Sequence, residues 1–471
     1  MKLLLINPSQ EKVYGCDMPP LYHPLGLLYV GTMAQEAGHL VRLVDIDSEK
    51  MDESGFTKLL SAFQPDAVGL TATTPTLGNA VKWATLVKHL CPSVPIILGG
   101  IHATTAPEAV SALPCFDFAA IGEGERTLLL WLDCIASDSK IFNEVAGLAY
   151  RQDGRFIRTL PRPLEPAIDT FPVPDRKLLK FPLSFAPANA VHMPVATIMT
   201  SRGCPGDCTF CCTKHLFTRK VRLRSVDNIL SEIDMLVRDF GVREIHIADD
   251  TFTANRKRVM EFCEQVRARH YDVHFEFMNG IRADFVDDPM LKALRSIQVR
   301  NVGFGVESGN EEVLRLAKKG ISMDKVRKAF SLAKANGFET WGFFIIGLPG
   351  DNSKRVRETV RFAKELDPDF AKFYILKPYP GSEAYAWLQE RGLIDCTDYD
   401  AYGIYSPPVH HLPEMDVREM ERLLKWAYRT YYLNPRKILQ HLLRLRSFTQ
   451  FRLMVRNGLF VLKNLFRKKK V

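Results

Sequence analysis

A chain of 471 residues is too long for one ordinary hydrophobic core and fits two to three domains. Its 46% hydrophobic and 25% charged residues are ordinary for a globular protein, and ten cysteines over that length exclude a disulfide framework. The net charge of +9 misleads: fourteen of the 63 Lys and Arg lie between Arg422 and Lys470, a stretch without Asp or Glu, so the rest holds 49 basic against 54 acidic residues and offers no body-wide patch for nucleic acid.

The opening Met1-Lys2-Leu3-Leu4-Leu5-Ile6-Asn7-Pro8 is too short in apolar residues for a secretory signal and reads as a first buried strand. No apolar run reaches the roughly 18 residues of a membrane span, and the scattered cysteines suit a reducing cytoplasm. Further strands are expected at 41–45, 67–71, 94–99 and 118–121. Helical patterns lie between them, including 27–36, ended by Gly38, and 77–90. Apolar strands alternating with helices predict an α/β domain over 1–140 with a doubly wound parallel sheet. Ligands bind such sheets at the carboxyl ends of the strands. Those ends read Asn7-Pro8, Thr71-Ala72-Thr73-Thr74-Pro75, Gly99-Gly100-Ile101-His102 and Gly122-Glu123-Gly124-Glu125, small or polar runs that a bulky ligand can approach closely.

Residues 141–190 read as a hairpin at 147–158 followed by a Pro-rich linker, from Pro161 to Pro187. From 191 to 395 the alternation resumes. Strands are expected at 197–200, 244–248, 274–279, 301–306, 339–346 and 370–376, with helices at 226–240, 259–270, 289–296, 323–336 and 356–366.

The first of these strands runs into Cys204-Pro-Gly-Asp-Cys208-Thr-Phe210-Cys211-Cys212. Three thiolates this close can address one metal centre, and a four-iron cluster held by three of them keeps one iron open. The competing reading is a zinc site completed by Cys212 or His215.

The cysteine spacing resembles that of the radical S-adenosylmethionine (SAM) superfamily. The first 140 residues resemble the cobalamin (B12)-binding domain found ahead of many radical SAM enzymes. The matching pieces are Asn7-Pro8, Pro24-Leu25-Gly26-Leu27, the run from Gly99 to Glu108, and Gly122-Glu123-Gly124-Glu125. The resemblance implies a Rossmann-like cobalamin domain, a partial (β/α)6 radical SAM barrel, and a helical basic extension over 396–471. It further implies a [4Fe-4S] cluster on Cys204, Cys208 and Cys211, with SAM on the open iron. Phe210, Asp249, Asp250, Arg282, Glu307 and Ser308 would contact SAM. Thr71, Thr74, Gly99, Gly100, His102, Gly122, Glu123 and Gly124 would line the cobalamin site. Each has a plainer reading: Phe210 as core filler, Asp249 and Asp250 as helix caps, Arg282 at the surface, His102 as a hydrogen-bonded loop residue. Where some cobalamin domains carry Asp-x-His-x-x-Gly, this chain has Val44-Asp45-Ile46-Asp47-Ser48, without the cobalt-ligating histidine.

The expected activity is reductive cleavage of SAM to a 5′-deoxyadenosyl radical that modifies an unactivated carbon, most often by methyl transfer in relatives. Rearrangement, cyclisation or dehydration is the alternative, and an iron–sulfur electron carrier or sensor the third reading. The substrate would be a small or lipid-like molecule, with flavodoxin or ferredoxin as electron donor. The basic tail, ending Arg467-Lys468-Lys469-Lys470-Val471, either caps the barrel or meets an anionic inner-membrane surface.

Overall fold

In the computed structural model, residues 1–14, 22–137, 141–187 and 189–443 are described. The first sheet contains β1 (Lys2–Asn7), β2 (Leu40–Asp45), β3 (Ala67–Thr71), β4 (Ile96–Gly99), β5 (Phe118–Ala120), β6 (Leu148–Gln152) and β7 (Arg155–Arg158), in the order β2-β1-β3-β4-β5-β6-β7. The first five strands are parallel. β1 is buried on both faces: Leu4 and Ile6 enter one core, Leu3 and Leu5 the other. That two-sided burial is why its sequence is an unbroken apolar run rather than an alternation.

The hairpin β6–β7 does not stand apart as linker. It adds antiparallel to β5, so the first domain runs on to Arg158. β5 would otherwise present an open edge, and the hairpin pairs it while Tyr150 packs on Phe118 with ring centroids 5.6 Å apart. The Pro-rich stretch is held as firmly. Leu178, Leu179 and Phe185 are buried in the first domain's core. Arg176 reaches across to Glu232 of the second domain at 2.8 Å.

The second domain carries β8 (Val195–Ile198), β9 (Ser201–Arg202), β10 (Arg222–Leu223), β11 (Glu244–Ile247), β12 (His274–Phe277), β13 (Asn301–Glu307), β14 (Glu339–Ile346) and β15 (Phe370–Ile375). Parallel pairing gives β8-β11-β12 and β13-β14-β15, and the parallel bridges Phe275 to Val299 and Ile281 to Phe304 join them into one six-stranded open barrel. Its helices form as their sequences dictate. In the helix Val226–Phe240, Ser225 caps the Asn228 N–H, Ile229, Ile233 and Leu236 share the buried face, and Gly241 ends it at φ 61°. Alternate strand residues face these helices, among them Ile245, Ile247, Phe304, Phe344 and Phe373.

β15 would leave the barrel with an open edge. The C-terminal helix Val417–Tyr432 covers it, and two phenols do the pairing a further strand would do. Tyr428 accepts from Phe373 N and donates to Phe373 O (3.3 and 3.1 Å); Tyr432 does the same at Ala371 (3.0 and 2.9 Å). This part of the extension caps the barrel; the basic residues 444–471 lie outside the described residues. Among the described residues no helix is long and apolar enough to cross a membrane.

The two domains meet carboxyl end to carboxyl end. The short helix Ile101–Thr105 after β4 contacts the helix Thr213–Leu216 after the cysteine loop. Beside it, Arg202 of β9 is buried between Glu123 (2.9 Å) and Glu125 (2.5 Å), and Arg222 of the paired β10 also holds Glu123 at 2.6 Å. Tyr29, Phe171 and Phe217 ring the Arg202 guanidinium at 5.1, 4.7 and 5.5 Å. Removing one partner of a buried pair leaves the other charge uncompensated. Arg202→Met is therefore expected to destabilise the chain by about 3–5 kcal/mol, read as a lowered denaturant midpoint against wild type; an unchanged midpoint would show the network to be dispensable.

Candidate active site

The cysteine loop leaves β9 at the top of the barrel and is pinned by its own backbone. Thr209 N donates to Ala317 O at 3.0 Å, Ala384 N donates to Thr209 O at 2.9 Å, and Cys211 N donates to Cys208 O at 3.1 Å. Cys204, Cys208 and Cys211 are half-buried, and Thr251 Oγ1 donates to Cys204 Sγ at 3.1 Å. Gly206 sits inside the loop. A Cβ there would lie 3.4 Å from Cys204 Sγ, 3.7 Å from Cys208 Sγ and 3.1 Å from the Arg282 guanidinium, so a side chain would crowd the space between thiols and cation.

Zinc ligands about 2.0–2.3 Å from one ion lie within about 4 Å of each other. No three of Cys204, Cys208, Cys211, Cys212 and His215 bring ligand atoms within 4.8 Å of one another. Cys212 turns to the Pro380 carbonyl at 3.7 Å. A single tetrahedral ion on three of these residues would need them drawn closer together. Burial pushes the Cys208 thiol up to about 11, and Lys319 and Arg282 pull it back toward thiolate. Burial raises the Cys211 thiol as well. Iron binds thiolate, and two neighbouring cations favour that form. The donor set fits a three-cysteine iron–sulfur cluster.

The other strand ends gather round this loop. Asp250, after β11, accepts from Thr213 Oγ1 at 3.3 Å; burial, then the adjoining Asp249, pushes its carboxyl up to about 6. Asp249 faces into the wall, accepting from Thr200 N (2.6 Å), Thr200 Oγ1 and Ser201 Oγ (both 2.5 Å). Arg282, after β12, forks onto Asp284 at 3.0 and 2.9 Å with its third nitrogen toward Gly206. Glu307 ends β13 at a register shift with φ 65° and pairs with Lys319 at 2.7 Å. Ser308 turns outward to Thr359 at 3.1 Å, and Phe210 packs against the barrel core. Asp250, Arg282 and Glu307 thus surround the cysteines, whereas Asp249 and Ser308 are hydrogen-bonded within the wall. Sequence reasoning missed Thr251 and Lys319. Thr251 stands beside the acidic pair at a strand end and could have been found; Lys319 has no local signal.

Across the interface, Thr71, Gly99, Gly100 and Gly122 lie at the ends of the adjacent strands β3, β4 and β5, and Gly124 begins the helix Glu125–Ala136. The order β2-β1-β3-β4-β5 places the topological switch between β1 and β3, where such sheets take ligands. His102 is buried, with Nδ1 3.2 Å from Thr74 Oγ1 and its ring edge-on to Tyr399 at 4.9 Å; burial pushes it down to about 4. Its Nε2 has no hydrogen-bond partner among the described residues. Glu123 is taken up by Arg202 and Arg222. At Gly26 and Gly122 a Cβ would meet nothing within 4 Å. Open glycine faces, an orphaned ring nitrogen and a polar rim fit a large polar cofactor such as cobalamin.

Replacing Cys208 by Ala is expected to abolish iron–sulfur incorporation, followed by iron content and visible absorbance after anaerobic reconstitution, with the first domain's fold kept. Cys212→Ser is expected to load iron as wild type does; loss in that variant would make Cys212 a ligand.

Residues 198–363 match the radical SAM superfamily and residues 12–130 match the B12 binding domain. An uncharacterized methyltransferase, PH0819, of Pyrococcus horikoshii is 32% identical over 445 residues, covering 93% of this chain and 94% of the relative. An anaerobic magnesium-protoporphyrin IX monomethyl ester cyclase of Rubrivivax gelatinosus is 27% identical, covering 92% of this chain and 78% of its own. The solved structure of the cobalamin-dependent SAM radical enzyme OxsB, with aqua-cobalamin and SAM bound, has the same fold (TM-score 0.74, 18% identity, covering 99% of this chain and 72% of that one). The chain belongs to the radical SAM superfamily, in the class that carries a B12-binding domain ahead of the radical SAM barrel.

Proposed function

We propose that this chain is a cobalamin-dependent radical SAM C-methyltransferase, in which Cys204, Cys208 and Cys211 would hold the cluster that takes SAM and the strand ends of the first domain would hold cobalamin. The observation that carries this reading is the direct tie between the two sites: Arg202, two residues before Cys204, is buried against Glu123 and Glu125 of the opposite strand-end loop. Chemistry that passes a group between two large cofactors needs their sites held at fixed separation. The PH0819 relative, a methyltransferase by name, supports the methyl-transfer reading. The cyclase relative favours a second one, cyclisation on the same machinery.

When bound, the cluster supplies one electron to the SAM sulfonium and cobalamin carries a methyl group. The residues of the chain do the rest. Asp250 offers a carboxyl at the rim for the amino group of SAM, and Arg282 a guanidinium for its carboxylate. Glu307, held by Lys319, adds an acceptor from the β13 end. The half-exposed thiols leave one side of the loop within reach of a reductant such as flavodoxin or ferredoxin. The Arg202 network is buried in the seam between the domains.

Two results test this. Anaerobically reconstituted protein with SAM, hydroxocobalamin and a reductant is expected to release 5′-deoxyadenosine. An intact cluster without that release would point to an electron carrier. Gly26→Trp fills the open face at a helix start next to the β1 end and is expected to lower cobalamin loading by tenfold or more, followed by corrinoid absorbance, while iron content stays at the wild-type level.

A further inference from the structure

The interior of an α/β barrel is ordinarily a packed core. Here the inward positions are charged and aromatic instead: Glu244 and His246 on β11, Glu276 on β12, Trp341 and Phe343 on β14, Lys372 and Tyr374 on β15. The rings and Lys372 are only half-buried, although their outward neighbours Phe344 and Phe373 are fully buried. Trp341, Phe343, Lys372 and Tyr374 thus keep accessible surface at inward positions, where a packed core would leave little.

Its charges are not treated alike. Glu244 accepts from Val191 N (2.9 Å), His192 N (2.8 Å) and His246 Nε2 (2.7 Å). Glu276 accepts from Asn189 and has Arg300 and His246 each at 3.8 Å. Backbone and side chains of the barrel floor thus answer both carboxylates. Lys372 has no such answer. Its ammonium makes no hydrogen bond or ion pair within 4 Å among the described residues and rests over the Trp341 ring at 4.4 Å and the Phe343 ring at 5.8 Å. Burial pushes it down to about 8, and only the longer-range pull of Glu276 opposes that. Tyr22, 6.3 Å from the His246 ring, brings the first domain to the same space. A cation left unpaired between aromatic walls, where every carboxylate is already satisfied, is a site for an anion that arrives with a ligand.

We propose that the substrate enters the barrel lumen with an anionic group, of carboxylate or phosphonate type, that pairs with Lys372 while an apolar part lies on Trp341 and Phe343. This rests on the radical-enzyme reading above, and its test is independent of turnover. Iron-loaded full-length protein, without SAM, is titrated by calorimetry with 1-naphthaleneacetate, with 1-naphthylmethylphosphonate and with the neutral 1-naphthaleneethanol. At least one anion is expected to bind about tenfold or more tightly than the alcohol, the magnitude of one charge-assisted hydrogen bond. The stronger of the two anions identifies the group. Lys372→Met should reduce that anion to the level of the alcohol, and Lys372→Arg should retain the preference. Equal affinity of wild type for all three probes, or a preference that survives in Lys372→Met, overturns the proposal. Should Lys372→Met not fold, Lys372→Gln gives the same reading, and the wild-type comparison alone still decides against the proposal if it shows no preference. Release of 5′-deoxyadenosine by wild type reports separately on the reading it rests on.

Discussion

The buried fork of Arg202 onto Glu123 and Glu125 is the contact on which the arrangement of this molecule depends. It joins the last turn before the cysteine loop to the loop that follows β5, and so sets one cofactor site against the other. The desolvation of three charges is large, and it is offset by close geometry and by a second cation, Arg222, on the same Glu123. Tyr29 from the first domain, Phe171 from the linker and Phe217 beyond the cysteines pack round the guanidinium. The first domain, the linker and the barrel therefore all touch one side chain. A second network, Arg176 and Arg224 on Glu232, ties the linker to the barrel in the same way.

Each sheet has a strand that would otherwise stand as an open edge, β5 in the first and β15 in the barrel, and each is covered by a different device. The first sheet extends β5 with an antiparallel hairpin, which costs only a short excursion of chain. The barrel cannot close on itself with six strands. Its last strand instead offers Ala371 and Phe373 to the phenols of Tyr432 and Tyr428, each both donor and acceptor. The C-terminal helix thereby becomes part of the barrel wall. Lys377, just past β15, donates to the carbonyls of Ser406 (3.0 Å) and Pro407 and holds the connecting segment in place. That segment then reaches the first domain, where Tyr399 lies against His102.

The electrostatics of the top and the floor of the barrel differ in kind. At the top, Arg282 and Lys319 stand beside thiols that burial alone would keep protonated, an arrangement suited to a thiolate-bound cluster. At the floor, two carboxylates are satisfied by the linker residues 189–192 and their neighbours. Between them the half-buried rings of Trp341 and Phe343 line the space.

The sequence by itself determined the two α/β units and the order of their strands along the chain, and it brought three closely spaced cysteines into view. Those features are local: apolar runs of strand length, helical periodicity with caps such as Ser225, and a fixed spacing of three thiols. Strand limits shifted by at most two residues, as at β8, where 197–200 was expected and Val195–Ile198 forms. Tertiary structure alone decided where the hairpin went, because joining β5 is a contact between chain segments with no signature in either. It alone decided which polar groups at the strand ends stay free. Asp249 and Asp250 are adjacent and alike in sequence, yet one faces the hydroxyls of Thr200 and Ser201 inside the wall and the other the rim. Glu123 reads as one more polar residue in a Gly-rich loop until Arg202, 79 positions away, is placed beside it. Glu244, His246, Glu276 and Lys372 interrupt otherwise apolar strands at inward positions. Which of them is left unpaired depends on the partners that the fold brings from elsewhere in the chain, and no spacing along the sequence encodes that.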